Sequence, residues 1–153
     1  MDVMFVNPFI EATLDVLETM AATKAVAGKP YLKQNQVAAG DVSAVIGLTG
    51  EINGTVSVTF TEACILPIVS NMLGEDMREM NSSINDAVGE TTNMIAGLAR
   101  RKLDELGRPL QAAIPTVISG KNHTITHMTE HPVVAVPFST ASGEFTIEVC
   151  FEG

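Results

Sequence analysis

The chain has 153 residues, which predicts one domain, 1–153, large enough to bury a core without disulfides or metal ions. Its composition, 46% hydrophobic and 18% charged, is typical of a globular protein, and its net charge of −9 argues against binding to nucleic acid or to an anionic membrane. The longest apolar run, Ala63–Val69, is too short to cross a bilayer and no basic residue precedes Lys24, so we expect a cytoplasmic protein without a secretory signal.

The first predicted element is a helix that begins at Asn7 and Pro8. Asn is a good N-cap, and Pro is tolerated at the first helical position because its missing N–H would be unpaired there. Apolar residues then recur at helical spacing, namely Ile10, Leu14, Leu17 and Ala21. We expect this helix to fade by residues 28–30, and residues 31–40 are compatible with a polar edge strand.

Two alternating segments on either side of Asn53-Gly54 predict a β-hairpin. Asn-Gly is a strong signal because both central residues of a tight hairpin turn need positive φ. The spacing of Gly47, Gly50 and Gly54 also suggests a phosphate-binding loop. That loop would precede a helix and end in Gly-Lys-Ser/Thr, and neither feature is present, so turn chemistry is the better interpretation.

Two further helices follow the hairpin, and four strands follow the helices. The first of these helices covers residues 61–73, and the next begins near Ser82 or Ser83, where Asp86 is spaced as in a capping box, and runs about 20 residues to Gly107. The strands are predicted at residues 114–119, 124–128, 133–140 and 144–151, with a turn at Ser142-Gly143. This order predicts an α+β fold in which long helices pack on a mainly antiparallel sheet.

The third helix separates apolar and polar residues onto opposite faces. Helical periodicity assigns a core-facing row to Ile84, Val88, Thr91, Ile95, Leu98, Ala99 and Leu106. The opposite face carries Asp86, Gly89, Glu90, Asn93, Gly97, Arg100 and Asp104. Glu90 and Asn93 are three residues apart, which makes them neighbours at about 5–6 Å between Cβ atoms.

The two glycines on this outward face need an explanation. Each costs roughly 1 kcal/mol relative to Ala inside a helix. Gly89 and Gly97 therefore indicate a backbone that another molecule approaches closely. The alternative from periodicity alone is that Glu90 and Asn93 are ordinary solvated surface residues.

Residues 86–97, DAVGETTNMIAG, resemble the phosphatase motif of the CheC/CheX/FliY group of chemotaxis phosphatases. The Glu-x-x-Asn core of that motif corresponds to Glu90 and Asn93. Residues 7–13 also resemble the first helix of CheX-like members, and the order of elements matches, so the resemblance covers nearly the whole chain. It implies a phosphatase that acts on the aspartyl phosphate of a phosphorylated CheY-like receiver domain.

The resemblance also implies roles for individual residues. Asn93 would orient the water that attacks the receiver's phosphoryl group, and Glu90 would dock by pairing with the receiver's active-site Lys. Asp86, Gly89 and Gly97 would contribute to the binding surface. The Mg²⁺ ion would belong to the receiver, and the chain would need no cofactor of its own.

The number of active surfaces and the assembly follow from the same resemblance. Members with two motifs carry a second Glu-x-x-Asn on another helix, but the corresponding segment here is Glu11-x-x-Leu14. Leu14 cannot supply an amide, so one active surface per chain is expected, together with a homodimer formed through the sheet. The alternatives are a non-catalytic receiver-binding or flagellar-switch adaptor, and an oligomerisation domain, which leaves the outward glycines unexplained.

Two other groups of residues suggest metal sites. His123, His127 and His131 recur every four residues, a spacing that suits zinc on a helix. The stretch has strand-like composition and Pro132 follows it, so we interpret these histidines as polar strand residues. The acidic cluster Glu75, Asp76 and Glu79 lies between turn signals and is interpreted as a solvated loop. We therefore predict no metal site.

Overall fold

Three helices pack on one face of an eight-stranded sheet in the computed structural model, which describes residues 3–35, 37–127 and 132–152. The helices are α1 (Val3–Ala21), α2 (Glu62–Leu73) and α3 (Ser82–Glu105). The strands are β1 (Val26–Ala27), β2 (Tyr31–Leu32), β3 (Val42–Gly50), β4 (Gly54–Phe60), β5 (Leu110–Ala112), β6 (Thr116–Ser119), β7 (Val134–Ser139) and β8 (Glu144–Phe151). No helix among the described residues is long and apolar enough to cross a membrane.

The strand order is β1-β7-β8-β4-β3-β5, with β2 also paired to β7 and β6 also paired to β3. Each of these pairings is antiparallel. The predicted α+β architecture is therefore confirmed. The helix-facing side of the sheet is apolar and buried, and its residues include Val42, Ala44, Ile46, Leu48, Val56, Val58, Phe60, Ile147 and Val149.

Helix α1 begins earlier than predicted. It starts at Val3, so Pro8 lies inside the helix and Asn7 is not its cap. Phe5 and Phe9 are buried, and their ring centroids lie 5.4 and 6.3 Å from that of Phe151. We attribute the additional turn to this apolar packing, which offsets the hydrogen bond that Pro8 cannot donate.

Helix α1 also ends earlier than predicted, at Ala21 and not near residues 28–30. Ala22 adopts a left-handed conformation with φ of 47°, and the Thr23 N–H donates to the Leu17 carbonyl at 2.9 Å. A residue in the left-handed conformation directly after the last turn is a common way for a helix to end. Residues 31–40 contain the short edge strand β2, but the sequence did not predict β1.

The β3–β4 hairpin is confirmed, but its turn is not the predicted Asn-Gly turn. Leu48 pairs with Gly54, so Gly54 is the first residue of β4 and the turn comprises residues 51–53. A Cβ atom at Gly54 would lie 2.3 Å from the ring of Phe151 and 2.6 Å from the Cys150 carbonyl oxygen. Glycine is therefore required there by close packing against β8 and not by a positive φ.

Helix α2 matches its prediction, and α3 begins at Ser82 as predicted, but its cap differs. Asn81 is the N-cap, and its side-chain oxygen accepts from the Ile84 N–H at 3.1 Å. Leu106 is 57% exposed and does not join the buried row. The helix ends at Glu105, so Leu106 no longer follows the helical periodicity and Leu103 is buried instead.

The C-terminal strands are partly as predicted. The strand predicted over 114–119 is shorter, Thr116–Ser119, and the preceding β5 was not predicted. Residues 124–127 form no strand; Thr124 makes a single bridge with Val37, and Met128 lies outside the described residues. Strands β7 and β8 are confirmed, as is the turn between them, where the Thr140 N–H donates to the Gly143 carbonyl at 2.8 Å.

The side of the sheet opposite the helices is polar yet buried, and we call it the polar face. Its buried polar members are Ser43, Thr55, Ser57, Thr59, Thr146 and Glu148, and Ala135 and Cys150 are buried on the same side. Lys33, His123 and His127 contact it from two loop segments. Ser43 Oγ lies 2.5 Å from Thr59 Oγ1 and 2.6 Å from His123 Nε2. These contacts supply partners for hydroxyl groups that would otherwise be buried unpaired.

A buried ionic cluster of Lys33, His127 and Glu148 lies on the polar face. Lys33 Nζ is 2.6 Å from Glu148 Oε2, and His127 Nε2 is 3.1 Å from Glu148 Oε1. Burial by itself would raise the pKa of Glu148, but hydrogen bonds from His127 and Lys33 and the Lys33 charge hold that pKa below its ordinary value. Among the described residues, Ser57 Oγ and His127 Nδ1 have no hydrogen-bond partner.

Candidate active site

One side of helix α3 is buried against the core, and this packing turns the opposite side outward. Its buried residues are Ile84, Ala87, Val88, Thr91, Thr92, Ile95, Ala96, Ala99 and Leu103. Thr91 and Thr92 satisfy their hydroxyl groups by donating to carbonyls one turn earlier, at 2.7 and 2.9 Å. These nine buried side chains fix which face of the helix is turned away from the core, because rotating the helix would disrupt all of their contacts.

Glu90 and Asn93 are both exposed on this outer face, as predicted, and Asp86 is exposed one turn before Glu90. Neither the Glu90 nor the Asn93 side chain makes a hydrogen bond or an ion pair with another described residue. Their side chains are thus available to a second molecule, and the three-residue spacing presents a carboxylate and an amide side by side.

A depression of about 250 Å³ lies next to these two side chains. Helix α3 forms one wall, with Asn85, Asp86, Gly89, Glu90 and Asn93. The opposite wall consists of Ile114, Pro115 and Val117, from the connection between β5 and β6 and from β6 itself. The sequence assigned Ile114 to a strand; in the structure it lies outside the strands and is 88% exposed.

The two outward glycines of α3 have different surroundings. No atom lies within 4 Å of where a Cβ of Gly97 would be, so Gly97 is open to solvent as predicted. A Cβ at Gly89 would lie 3.3 Å from Val117 Cγ2. Gly89 is therefore not an open position, and its missing side chain lets β6 approach the helix and close the floor of the depression.

The outer face continues past Gly97 into a second groove of about 310 Å³. Arg100, Arg101 and Asp104 line this groove from α3, and Leu110 lines it from β5. Arg100 is anchored there, because its Nε donates to the Leu110 carbonyl at 2.9 Å. The open surface at Gly97 thus lies between an acidic part of the helix face, with Asp86 and Glu90, and a part that carries Arg100 and Arg101.

The segment corresponding to a second motif lies on α1, and its two motif positions contact the rest of the chain. Leu14 is partly buried against the core from α1. Glu11 Oε2 lies 3.6 Å from Lys102 Nζ of α3. Position 14 therefore serves the core, and the expectation of one active surface per chain stays a prediction.

The residues considered as metal ligands have other surroundings. His123 and His127 contact buried groups of the polar face from a loop, not from the predicted strand, and His131 lies outside the described residues. The acidic loop residues Glu75, Asp76 and Glu79 are exposed. Among the described residues, no group of three or more His, Cys, Asp or Glu side chains could hold a metal ion.

Known proteins and a known protein family are similar to this chain over most of its length. The family described as chemotaxis phosphatase CheX matches residues 42–139, which include α2 and α3. The CheY-P phosphatase CheX of Thermotoga maritima is 30% identical over 123 residues, which cover 80% of this chain and 79% of that protein. The crystal structure of a chemotaxis protein CheX from Desulfovibrio desulfuricans is 52% identical, with a TM-score of 0.90 over 97% of this chain and 99% of that chain.

A more distant structure shares the fold. A chain of the CheX–CheY–BeF3–Mg²⁺ complex from Borrelia burgdorferi is 23% identical and has a TM-score of 0.82. The match covers 97% of this chain and 98% of that chain. The arrangement of three helices on the sheet is therefore retained at low sequence identity.

Proposed function

Because this chain belongs to the chemotaxis phosphatase CheX family, we propose that it hydrolyses the aspartyl phosphate of a CheY-like receiver domain. The Thermotoga maritima relative is named as a CheY-P phosphatase. The Borrelia burgdorferi structure, which has the same fold, is a complex that contains CheY. Both support a phosphorylated receiver as the substrate.

The observation that carries the proposal is the state of Glu90 and Asn93. Both are exposed, neither has a partner among the described residues, and both line the same depression. A carboxylate and an amide held on a rigid helix suit the docking and positioning of a second molecule, because little conformational freedom is lost on binding.

Asn93 is the proposed water-positioning group. An aspartyl phosphate is an activated acyl phosphate, and its hydrolysis needs a water in line with the bond that breaks. The Asn93 amide can accept a hydrogen bond from that water and donate another to a phosphoryl oxygen. The water oxygen then bonds to phosphorus, the bond from phosphorus to the aspartate oxygen breaks, and inorganic phosphate and the free carboxylate are formed.

Glu90 is the proposed docking group. A receiver's phosphorylation pocket holds a Lys, and a carboxylate one helical turn from Asn93 can pair with it while the amide enters the pocket. The Mg²⁺ ion in this proposal is the receiver's own. Asp86 and Gly97 extend the contact surface along α3, and Gly89 acts by letting β6 form the floor of the depression.

A homodimer formed through the sheet and a cytoplasmic location complete the proposal. Sedimentation at micromolar concentrations tests the assembly: a dimer of the 16.2 kDa chain is expected, and a single monomeric species at all concentrations would contradict it. The location follows from the proposed substrate and is tested by fractionating cells that express the tagged chain.

The activity is tested by adding the purified chain to phosphorylated CheY-like receivers from the same genome and measuring phosphate release. We expect faster release with at least one receiver, and no acceleration by Asn93→Ala. A chain that binds a phosphorylated receiver without accelerating release would instead be a non-catalytic adaptor.

A further inference from the structure

An isoleucine that is 88% exposed stands directly beside the proposed catalytic pair. Ile114 has the largest exposed fraction among the large apolar side chains in the part of the chain that the structure describes. The other exposed members of this class are Met20, Val26, Tyr31, Leu32, Val37, Leu73 and Leu106. None of these lines the depression that contains Glu90 and Asn93.

The backbone holds Ile114 in place on both sides. The Ala113 N–H donates to the Gly47 carbonyl at 2.9 Å, and Thr116 pairs with Val45 at the start of β6. Pro115 restricts the backbone of Ile114 to extended conformations. Ile114 is therefore presented to solvent by an ordered segment, and little freedom would be lost if a partner covered it.

Ile114 lies where a molecule bound at Glu90 and Asn93 would contact it. It lines the depression from the side opposite α3, so a molecule that fills the depression beside Asn93 would also contact the Ile114 side chain. Rigid apolar side chains next to polar functional groups are typical anchors at interfaces, because burying them excludes water around the polar contacts.

We propose that Ile114 is the apolar anchor through which the receiver docks, so that Ile114 determines affinity while Asn93 determines rate. This inference rests on the proposed function. The occupant is the receiver domain, which would present an apolar side chain at the rim of its phosphorylation pocket. Continuity with the depression at Glu90 and Asn93 favours this occupant over a second copy of the chain.

The test compares Ile114→Ser with wild type in receiver dephosphorylation under steady-state conditions. We expect the KM to rise about tenfold or more, because an apolar side chain of this size is no longer buried in the complex, while kcat changes by less than twofold. Ile114→Val keeps most of the apolar surface and should retain most of the affinity. Leu106→Ser is the matched control, because Leu106 is also exposed but lies outside the depression.

Direct titration of the receiver onto each variant separates binding from turnover. An Ile114→Ser variant that matches wild type in KM and in receiver binding would overturn the inference while leaving the proposed function intact. The inference would also be wrong if Ile114→Ser dissociates the chain's own dimer in sedimentation and leaves receiver affinity unchanged. A wild-type chain that neither binds nor dephosphorylates any receiver would overturn the proposed function, and the inference with it.

Discussion

The outer face of α3 and the polar face of the sheet both carry a glutamate, in opposite environments. Glu90 is exposed on α3 and makes no ion pair with another described residue. Glu148 is 2% exposed on β8, and each of its carboxylate oxygens has a cationic or hydrogen-bonding partner, Lys33 on one side and His127 on the other.

The difference follows from the cost of removing a charge from water. A solvated carboxylate such as Glu90 costs the fold almost nothing and can exchange water for a partner on another molecule. A buried carboxylate such as Glu148 is tolerated only when it is paired and hydrogen-bonded. The paired Glu148 therefore serves the structure of the sheet, and the exposed Glu90 is available to another molecule.

The largest expected effect is on stability, at the buried ionic cluster. Glu148→Gln removes the charge between Lys33 and His127, and breaking a buried pair typically costs about 3–5 kcal/mol in the free energy of unfolding. Chemical denaturation measures this loss. Glu144→Gln is the matched control on the same strand, because Glu144 is exposed, and should change stability by less than about 0.5 kcal/mol. Equal stability of the two variants would show that the buried carboxylate of Glu148 contributes no more to the fold than an exposed one.

The next effect is on turnover, at the outer face of α3. Asn93→Ala should reduce receiver dephosphorylation by about 100-fold, as is typical when one preorganised polar group is removed from a transition state. Affinity for a phosphorylated-receiver analogue and the free energy of unfolding should remain close to wild type. Glu105→Ala, exposed at the end of the same helix, is the control. Wild-type turnover by Asn93→Ala would show that the catalytic assignment is wrong.

Gly97→Leu tests whether the open surface of α3 is a contact surface. Folding should be unaffected or slightly improved, because Leu is the better helix former and nothing lies within 4 Å of the added Cβ. Receiver binding, measured by titration, should weaken by about tenfold, which corresponds to about 1.4 kcal/mol. If affinity is unchanged, the receiver does not approach α3 at Gly97.

Glu90→Ala should raise the KM for the receiver a few-fold, because an exposed interfacial ion pair contributes about 1 kcal/mol or less. Added salt should weaken receiver binding by wild type more than by Glu90→Ala, because salt screens the ion pair. The two salt dependences can be compared by titration at several ionic strengths. Parallel dependences would mean that Glu90 does not pair with a cation on the receiver.

The smallest expected effect is a pH dependence of stability. The pKa of Glu148 is lower in the folded chain than its ordinary value of 4.5, so its carboxyl group binds protons more weakly when folded than when unfolded. Its contribution to stability is therefore complete above that ordinary value and is lost as the pH falls through the lowered pKa. The free energy of unfolding, measured by denaturation at several pH values, should decrease more steeply with falling pH for wild type than for Glu148→Gln. An equal pH dependence in the two proteins would contradict the assignment.

The sequence by itself predicted the features that depend on local patterns. Periodicity identified α2, α3 and the alternation of β3, β4 and β8, because a core-facing residue recurs every 3.6 or every two positions. The same periodicity placed Glu90 and Asn93 on the exposed side of α3, and the motif around them resembled a phosphatase family. These predictions are confirmed by the exposure of both side chains and by the family match.

Only the tertiary structure decided the features that depend on contacts between distant segments. Phe151 extends α1 past Pro8 and requires glycine at position 54. Lys33, His123 and His127 contact a buried sheet face whose alternating Thr and Ser residues are typical of a solvated surface. Ile114 stands beside Asn93 because the connection between β5 and β6 lies next to α3. Local propensity contains no information on such contacts, since they arise when burial by a remote segment outweighs the local preference.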